Sequence, residues 1–71
     1  GVDIDVRDGW GKTPLTIACE KGYTDAVKLL IEYGADVNYA DKKGKKPLYY
    51  AINSSKKNEI IKLLVDEGAT E

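Results

Sequence analysis

The stretch Gly11-Lys-Thr-Pro-Leu-Thr-Ile-Ala18 returns later in the chain as Gly44-Lys-Lys-Pro-Leu-Tyr-Tyr-Ala51. Glycine, proline, leucine and alanine recur at the same places, 33 residues apart. A fixed period of this length is the sequence signature of short structural units that stack on one another. The sequence therefore predicts a repeat protein rather than a single irregular domain.

Each period carries the same signals for a turn followed by two helices. Asp8 and Gly11 stand first and fourth in a predicted type I turn, where these two residue types are preferred. Thr13 is a good N-cap, and Pro14 suits the first helical position. A second, amphipathic helix follows and is predicted to end at Gly34. The predicted fold class is all-α.

The period divides the chain into a tail and two units. Residues 1–7 match the end of the first period and are predicted to be the tail of a preceding unit. Unit one is predicted over residues 8–40 and unit two over residues 41–71, truncated at its end. The second helix of unit two matches at an offset of 34, so one residue is inserted within 52–57.

Composition narrows the class of partner. The 71 residues include 11 basic and 12 acidic side chains, so the net charge is −1 and offers no field for nucleic acid or an anionic membrane. There is no long apolar run and no signal-peptide pattern at the start. We expect a soluble protein in the cytoplasm or elsewhere inside the cell, with neither nucleic acid nor membrane as partner.

Cys19 is the single cysteine, and the chain has no histidine. Cys/His zinc sites and the usual pairing of a cysteine nucleophile with a histidine base are thereby excluded. Cys19 follows Ala18 at a position where helices approach closely, so we expect a buried side chain. No enzymatic activity and no cofactor or metal are predicted, and a reducing compartment is favoured because the cysteine has no internal partner.

Two longer motifs carry a family resemblance. Asp8-Gly-Trp-Gly-Lys-Thr-Pro-Leu15 and Gly34-Ala-Asp-Val-Asn38 resemble the ankyrin repeat, and the similarity covers essentially the whole chain. The resemblance implies an all-α solenoid of stacked helix-turn-helix repeats joined by β-turn or hairpin-like loops. Units of this kind cannot bury their apolar faces alone, which agrees with the period.

Unit two departs from the family pattern. Ankyrin repeats usually have a histidine after Thr-Pro-Leu that bonds back to the threonine, whereas this chain has Thr16 and Tyr49 there. Lys46 also replaces the threonine in unit two. We therefore expect unit two to be the looser unit, with local opening beginning there.

The resemblance implies binding of another protein through turn tips and the concave face. Trp10 is the strongest candidate, because tryptophan is common among interface hot spots, although it could instead pack flat on its own unit or on the previous one. The lysine-rich second turn could bind an acidic segment or could simply be a solvated turn. The residues that fall on the implied surface are Arg7, Trp10, Lys12, Glu20, Lys21, Lys42, Lys43 and Lys45.

Three further interpretations stay open. Asn38 occupies the position that asparaginyl hydroxylases modify in some family members, or it has a structural role in the arm. The apolar second helix of unit two shows no cap, which predicts neighbouring ankyrin repeats or self-association. The function is then either a non-catalytic protein-interaction module or a regulatory or scaffolding segment of a larger enzyme or channel.

Overall fold

Four helices build the protein in the computed structural model, which describes residues 4–54 and 57–70. Two helices belong to each unit, and no strand occurs in the described residues. The helices are α1 (Pro14–Lys21), α2 (Thr24–Glu32), α3 (Pro47–Ile52) and α4 (Lys57–Asp66). The prediction of an all-α fold of helix-turn-helix units is confirmed.

The first helix of each unit begins at its proline, as predicted, but the two starts differ. Before α1, the Oγ1 atom of Thr13 accepts a hydrogen bond from the backbone N–H of Thr16 at 3.3 Å. The hydroxyl groups of the same two residues lie 3.1 Å apart. Lys46 precedes α3 and makes no side-chain cap. Thr16 thus takes over the bond that the family usually makes with histidine, and unit two lacks it.

The second helices, α2 and α4, end in the same way. Gly34 and Gly68 have φ angles of 89° and 87°, a left-handed conformation that glycine adopts without steric cost. After α2, the N–H of Ala35 donates to the carbonyl of Leu30 at 3.0 Å, and Ala69 makes the matching bond after α4. These are Schellman ends, so each helix stops at its glycine.

The end of α3 has no glycine, and side chains do the capping instead. Asn53 is the C-cap residue of α3, as Gly22 is of α1, but Asn53 has φ −95°, whereas Gly22 is left-handed with φ 75°. Its Nδ2 donates to the carbonyl of Tyr49 at 2.8 Å, and the hydroxyl of Ser54 donates to the carbonyl of Ala51 at 3.0 Å. Residues 55–56, within the range predicted for the insertion, lie outside the described residues.

The core lies between the two units. Helix α1 packs on α3 in one layer, and α2 packs on α4 in the other. Each fully buried aliphatic side chain contributes about 1.5–3 kcal/mol relative to exposure, so the stacked interface supplies much of the folding energy. The larger buried side chains are Leu15, Val27, Leu48, Ile60 and Leu64.

A repeated hydrogen bond ties the arm before each unit to the segment after that unit's second helix. In the first copy, the carboxylate of Asp5 accepts the backbone N–H of Asp36 at 3.1 Å. In the second, the Oδ1 of Asn38 accepts the N–H of Thr70 at 2.8 Å. The same position in each period thus fixes the spacing of successive units.

Candidate functional site

Two tight turns carry most of the residues that the sequence places on the binding surface. In the first, Oδ1 of Asp8 accepts the backbone N–H groups of Trp10 and Lys12, each at 2.9 Å. Asp41 does the same for two lysines of the second turn, with the same distances. Such side-chain bonds to the following backbone hold each turn in one conformation. The tips are therefore preorganised.

The two tips are also joined to each other. The N–H of Lys42 donates to the carbonyl of Trp10 at 3.0 Å. Gly11 lies beneath this contact with φ 78°, and a Cβ atom there would come within 2.9 Å of the Lys42 nitrogen. Glycine is required at this point by both its backbone angle and the close approach. Trp10 and Lys42 are thus neighbours on one surface.

The side chain of Trp10 points mainly into solvent. Its relative exposure is 66%, so it does not pack flat against the described part of its unit. Exposed large aromatic groups on a rigid backbone are common anchors of protein interfaces. Flat packing of Trp10 on the described part of its own unit is thus not observed, while packing on the previous unit and contact with a partner both stay predictions.

Lys12 and Glu20, both predicted contacts, bind each other. The Lys12 ammonium lies 3.0 Å from each oxygen of the Glu20 carboxylate. The same nitrogen lies 5.0 Å from the centre of the Tyr50 ring, within cation–π range. Lys21, next to Glu20, is exposed on the last turn of α1. Two of the eight candidates therefore neutralise each other.

The three other candidate lysines differ in their surroundings. Lys42 and Lys43 are exposed, and neither forms an ion pair with a residue that the structure describes. Lys45 is half-buried, and its ammonium lies 4.6 Å from the centre of the Tyr49 ring. Positive charge available to a partner at the tip is thus concentrated on Lys42 and Lys43.

Arg7 stands beside the tips at an open cleft of about 530 Å³. Its guanidinium lies 5.3 Å from the centre of the Tyr39 ring, a stacked arrangement that leaves the N–H edge able to donate. Residues of both turns and of the intervening arm form the cleft. Its lining residues are Arg7, Asp8, Gly11, Tyr39, Ala40, Asp41 and Lys42.

A hydrogen bond between Tyr50 and Asp41, which the sequence reasoning missed, lies behind the second turn. The Tyr50 hydroxyl donates to Oδ2 of Asp41. Burial raises the pKa of Asp41, but this bond and backbone bonds from Lys45 and Lys43 outweigh it, so the pKa is lowered. The same bond, with burial, raises the pKa of Tyr50 to about 12. The sequence contained a signal for this bond, because unit two has Tyr50, a hydrogen-bond donor, where unit one has Ile17, which cannot donate.

Cys19 and Asn38 both have structural surroundings. Cys19 is fully buried, and this burial raises the pKa of its thiol to about 12, so the unreactive thiol form dominates at neutral pH. The amide of Asn38 accepts from Thr70 and donates to the carbonyl of Gly68 at 3.2 Å. Burial of Cys19 is confirmed, whereas modification of Asn38 stays a prediction.

Residues 4–54 and 57–70 contain no cluster of carboxylate and cysteine side chains that could hold a metal ion. Nor does any helix there have the length and apolarity needed to cross a bilayer. The surface around the turn tips is instead a rigid, mixed aromatic and basic patch. Such a patch suits noncovalent recognition of another molecule.

Comparison with known proteins agrees with this architecture. A family model described as ankyrin repeats, three copies, matches residues 1–70. The chain belongs to the ankyrin repeat family. Ankyrin repeats are in general protein–protein interaction modules, so the coarse functional prediction is supported. The specific partner has to be argued from the residues of this chain.

Stretches similar to this ankyrin chain occur in proteins of very different kinds. It is 50% identical over 58 residues to an ankyrin repeat protein of Rickettsia bellii (strain RML369-C), covering 82% of this chain and 24% of the relative. It is 41% identical over 51 residues to human ankyrin repeat domain-containing protein 63, covering 72% and 13%. It is 40% identical over 60 residues to potassium channel AKT2/3 of Arabidopsis thaliana, covering 84% and 7%. The chain thus spans a quarter or less of each relative's length.

Proposed function

We propose that this ankyrin array binds a partner protein through a turn-tip surface made of Trp10, Lys42 and Lys43, with Arg7 at its edge. One observation carries the proposal. An exposed tryptophan is held by a backbone hydrogen bond beside a turn whose two outermost lysines have no ion-pair partner in the described chain. An aromatic anchor next to uncompensated charge is a common core of a protein interface.

Rigidity of the tips favours binding. The carboxylates of Asp8 and Asp41 fix the two turns, and the bond from Lys42 to Trp10 fixes one turn against the other. Because the backbone of both turns is already ordered, binding does not carry the entropic cost of ordering it. The binding energy then comes mainly from burying the Trp10 ring in a pocket of the partner.

The charge of the surface selects an acidic partner segment. Lys42 and Lys43 face solvent, and the guanidinium of Arg7 stacks on Tyr39 with its N–H edge free to donate. Carboxylates on a partner would complement these groups and speed encounter at low salt. Lys12 adds little, because Glu20 already neutralises it. The acidic-partner hypothesis is therefore restricted to the tip of the second turn and the cleft beside it.

A capture experiment with a matched control tests the aromatic anchor. The chain is immobilised, a lysate of the source cells is applied, and bound proteins are compared for wild type, Trp10→Ala and Tyr33→Ala. Tyr33 is as exposed as Trp10 but lies after α2, away from the tips. We expect Trp10→Ala to weaken capture of a specific partner about thirtyfold, from ~2 kcal/mol of lost hot-spot energy. Equal losses for both variants would contradict the proposal.

A charge-reversal experiment tests the acidic segment separately. Lys42→Glu with Lys43→Glu is compared with Lys62→Glu, an exposed lysine on α4. We expect only the tip variant to weaken binding of the captured partner, and we expect wild-type binding to fall as salt screens the charges. A partner that binds equally well at low and high salt would rule out the electrostatic part and leave the Trp10 anchor standing.

A regulatory segment of a larger channel or enzyme is the second candidate. The observation favouring it is the Arabidopsis potassium channel, of which a stretch like this chain is only 7%. In such a protein the turn-tip surface would bind a neighbouring domain of the same polypeptide. Sequencing the complete reading frame distinguishes the two candidates, because the regulatory role requires a catalytic or membrane domain in that frame. We also propose an intracellular location, which the fully buried free thiol of Cys19 favours.

A further inference from the structure

Different contacts hold the two turns on the first helices of their units. In unit one, the ammonium of Lys12, at the end of the turn, binds the carboxylate of Glu20 on α1 at 3.0 Å. The counterparts in unit two are Lys45 and Asn53. The side chain of Asn53 is neutral, and its Nδ2 caps α3 by donating to the carbonyl of Tyr49 at 2.8 Å. The ion pair of unit one therefore has no counterpart in unit two.

Tyr50 connects the second turn to α3 in another way. Its hydroxyl donates to Oδ2 of Asp41, the first residue of the turn. Oδ1 of the same carboxylate accepts the backbone N–H groups of Lys43 and Lys45, each at 2.9 Å. Asp41 is buried, with a relative exposure of 7%. One buried carboxylate thus joins the backbone of the second turn to a side chain of α3.

The ring of Tyr50 also contacts the first turn. The Lys12 ammonium lies 5.0 Å from the ring centre, a distance at which a cation is attracted to an aromatic face. Tyr50 therefore contacts the end of the first turn with its ring and the start of the second with its hydroxyl. Its counterpart in unit one, Ile17, has neither an aromatic ring nor a donor and cannot make these two contacts.

The turn-tip surface combines side chains from both turns. Trp10 comes from the first turn, and Lys42 and Lys43 come from the second. The backbone bond from Lys42 to the Trp10 carbonyl, at 3.0 Å, joins the tips at one point. A partner that binds the aromatic ring and both ammonium groups needs them at fixed separations, which supporting contacts behind a binding surface provide. The Tyr50 hydroxyl makes such a contact with the second turn.

We propose that Tyr50 is the positioning residue of the turn-tip surface. Acting through Asp41, it holds the two lysines of the second tip in a fixed register with Trp10. It thereby sets the affinity for an acidic partner without binding that partner itself. This inference rests on the proposed function of the turn tips, and it adds a residue behind the surface that controls binding.

Nuclear magnetic resonance on the free chain tests the positioning directly. Backbone ¹⁵N relaxation is measured for wild type, Tyr50→Phe and Tyr49→Phe. Phenylalanine keeps the ring, and Tyr49→Phe removes the same hydroxyl from the preceding, more exposed tyrosine. We expect only Tyr50→Phe to lower the order parameters of the Lys43 and Lys45 amides, which Asp41 holds. The first turn should be unchanged, whereas a general loss of stability would not single out one turn.

A peptide probe tests the effect on binding. The probe is an acidic peptide selected from a random display library on the wild-type 71-residue chain, and its affinity must fall with Trp10→Ala. We expect Tyr50→Phe to weaken it about fivefold, because binding must then order the second turn. Tyr49→Phe should have no effect. Leu30→Ala, which removes half-buried side-chain volume from α2 away from the turns, is the control for lost stability and should bind like wild type.

A double-mutant comparison shows whether Tyr50 acts through the two lysines. In a chain with Lys42→Ala and Lys43→Ala, we expect Tyr50→Phe to weaken the peptide by much less than fivefold, because the side chains that it positions are gone. A full loss in that background would overturn the inference, since Tyr50 would then act elsewhere. A loss with Leu30→Ala as large as that with Tyr50→Phe would also overturn it, because the effect would be one of stability.

The same measurements separate this inference from the proposed function. A peptide that is weakened by Trp10→Ala but not by Tyr50→Phe overturns the positioning role and leaves the turn-tip surface standing. If no selected peptide depends on Trp10, the turn-tip proposal is wrong, and the positioning role is wrong with it. Unchanged order parameters at Lys43 and Lys45 in Tyr50→Phe would overturn the positioning role whatever the peptide does.

Discussion

Units one and two contain the same turn, the same helix order and the same Schellman ends, yet they differ where their first helices meet a neighbour. In unit one, Thr13 and Thr16 bond each other in the buried interface with α3. In unit two, Lys46 and Tyr49 occupy these positions at the surface. The turns and helices are therefore repeated, while the side chains at these positions differ with the surroundings of each unit.

This comparison separates two kinds of information in the repeat. Gly11 and Gly44 are kept because both turns require φ 78°, and Leu15 and Leu48 are kept because both are buried. Thr13 and Thr16, by contrast, are buried in unit one, whereas Lys46 is half-buried and Tyr49 is exposed in unit two. Identity between the units therefore marks the residues that the turns and the core require, and difference marks positions with other surroundings.

The largest expected effect concerns Leu64 and its counterpart Leu30, 34 residues earlier. Leu64 is fully buried against unit one, whereas Leu30 is only half-buried on α2. We expect Leu64→Ala to lower the free energy of unfolding by about 3 kcal/mol, and Leu30→Ala by about half as much. Urea denaturation followed by circular dichroism measures both. Equal losses of unfolding free energy in the two variants would show that the Leu64 and Leu30 side chains are equally well packed.

Much of this fold could be predicted from local sequence signals. Threonine and proline marked the start of α1, glycine marked the ends of α2 and α4, and Asp8 and Asp41 marked the turns. These signals work because each depends on backbone geometry within a few residues. The end of α3 was harder, because the side chains of Asn53 and Ser54 cap it without a left-handed residue.

The candidate site could be predicted only in part, because its charges depend on contacts across the fold. The turn positions of Trp10 and Lys42 followed from the repeat. The pairing of Lys12 with Glu20 did not, since it depends on how the turn folds over α1. The bond from Tyr50 to Asp41 was missed for the same reason. Spacing locates a residue on a surface, but its partners decide whether its charge is available.

Tyr50→Phe tests a bond that unit two has and unit one lacks. Loss of the hydroxyl donor to the Asp41 carboxylate is expected to lower the free energy of unfolding by about 1.5–3 kcal/mol at pH 7, as for hydrogen bonds to charged groups. Ile17→Val, at the equivalent position in unit one, is the control for small packing changes. Chemical denaturation at a fixed pH measures both variants. A Tyr50→Phe effect no larger than that of Ile17→Val would remove the bond as a stabilising feature.

The pH dependence of this effect has a definite sign. The pKa of folded Asp41 lies below its ordinary value of 3.8, so the stabilisation is present above that value and is lost as pH falls through the folded pKa. The pKa of folded Tyr50 lies near 12, above its ordinary 10.0, so on the alkaline side the stabilisation is lost between about pH 10 and 12. The stability difference between wild type and Tyr50→Phe should therefore be greatest between these limits. A difference unchanged at pH 2.5 would contradict the assignment.

The smallest effects are expected at the residues that precede α1 and α3, which are Thr13 and Lys46. Thr13→Ala removes a buried cap and should cost about 1–2 kcal/mol, whereas Lys46→Ala should change stability by less than about 0.5 kcal/mol. Amide exchange adds local detail, since we expect residues 13–19 to exchange more slowly than residues 46–52 in the wild type. Thr13→Ala should reduce that contrast by speeding exchange in residues 13–19. Faster exchange in unit one of the wild type would mean that the Tyr50–Asp41 bond more than replaces the missing cap, and unit two would then be the tighter unit.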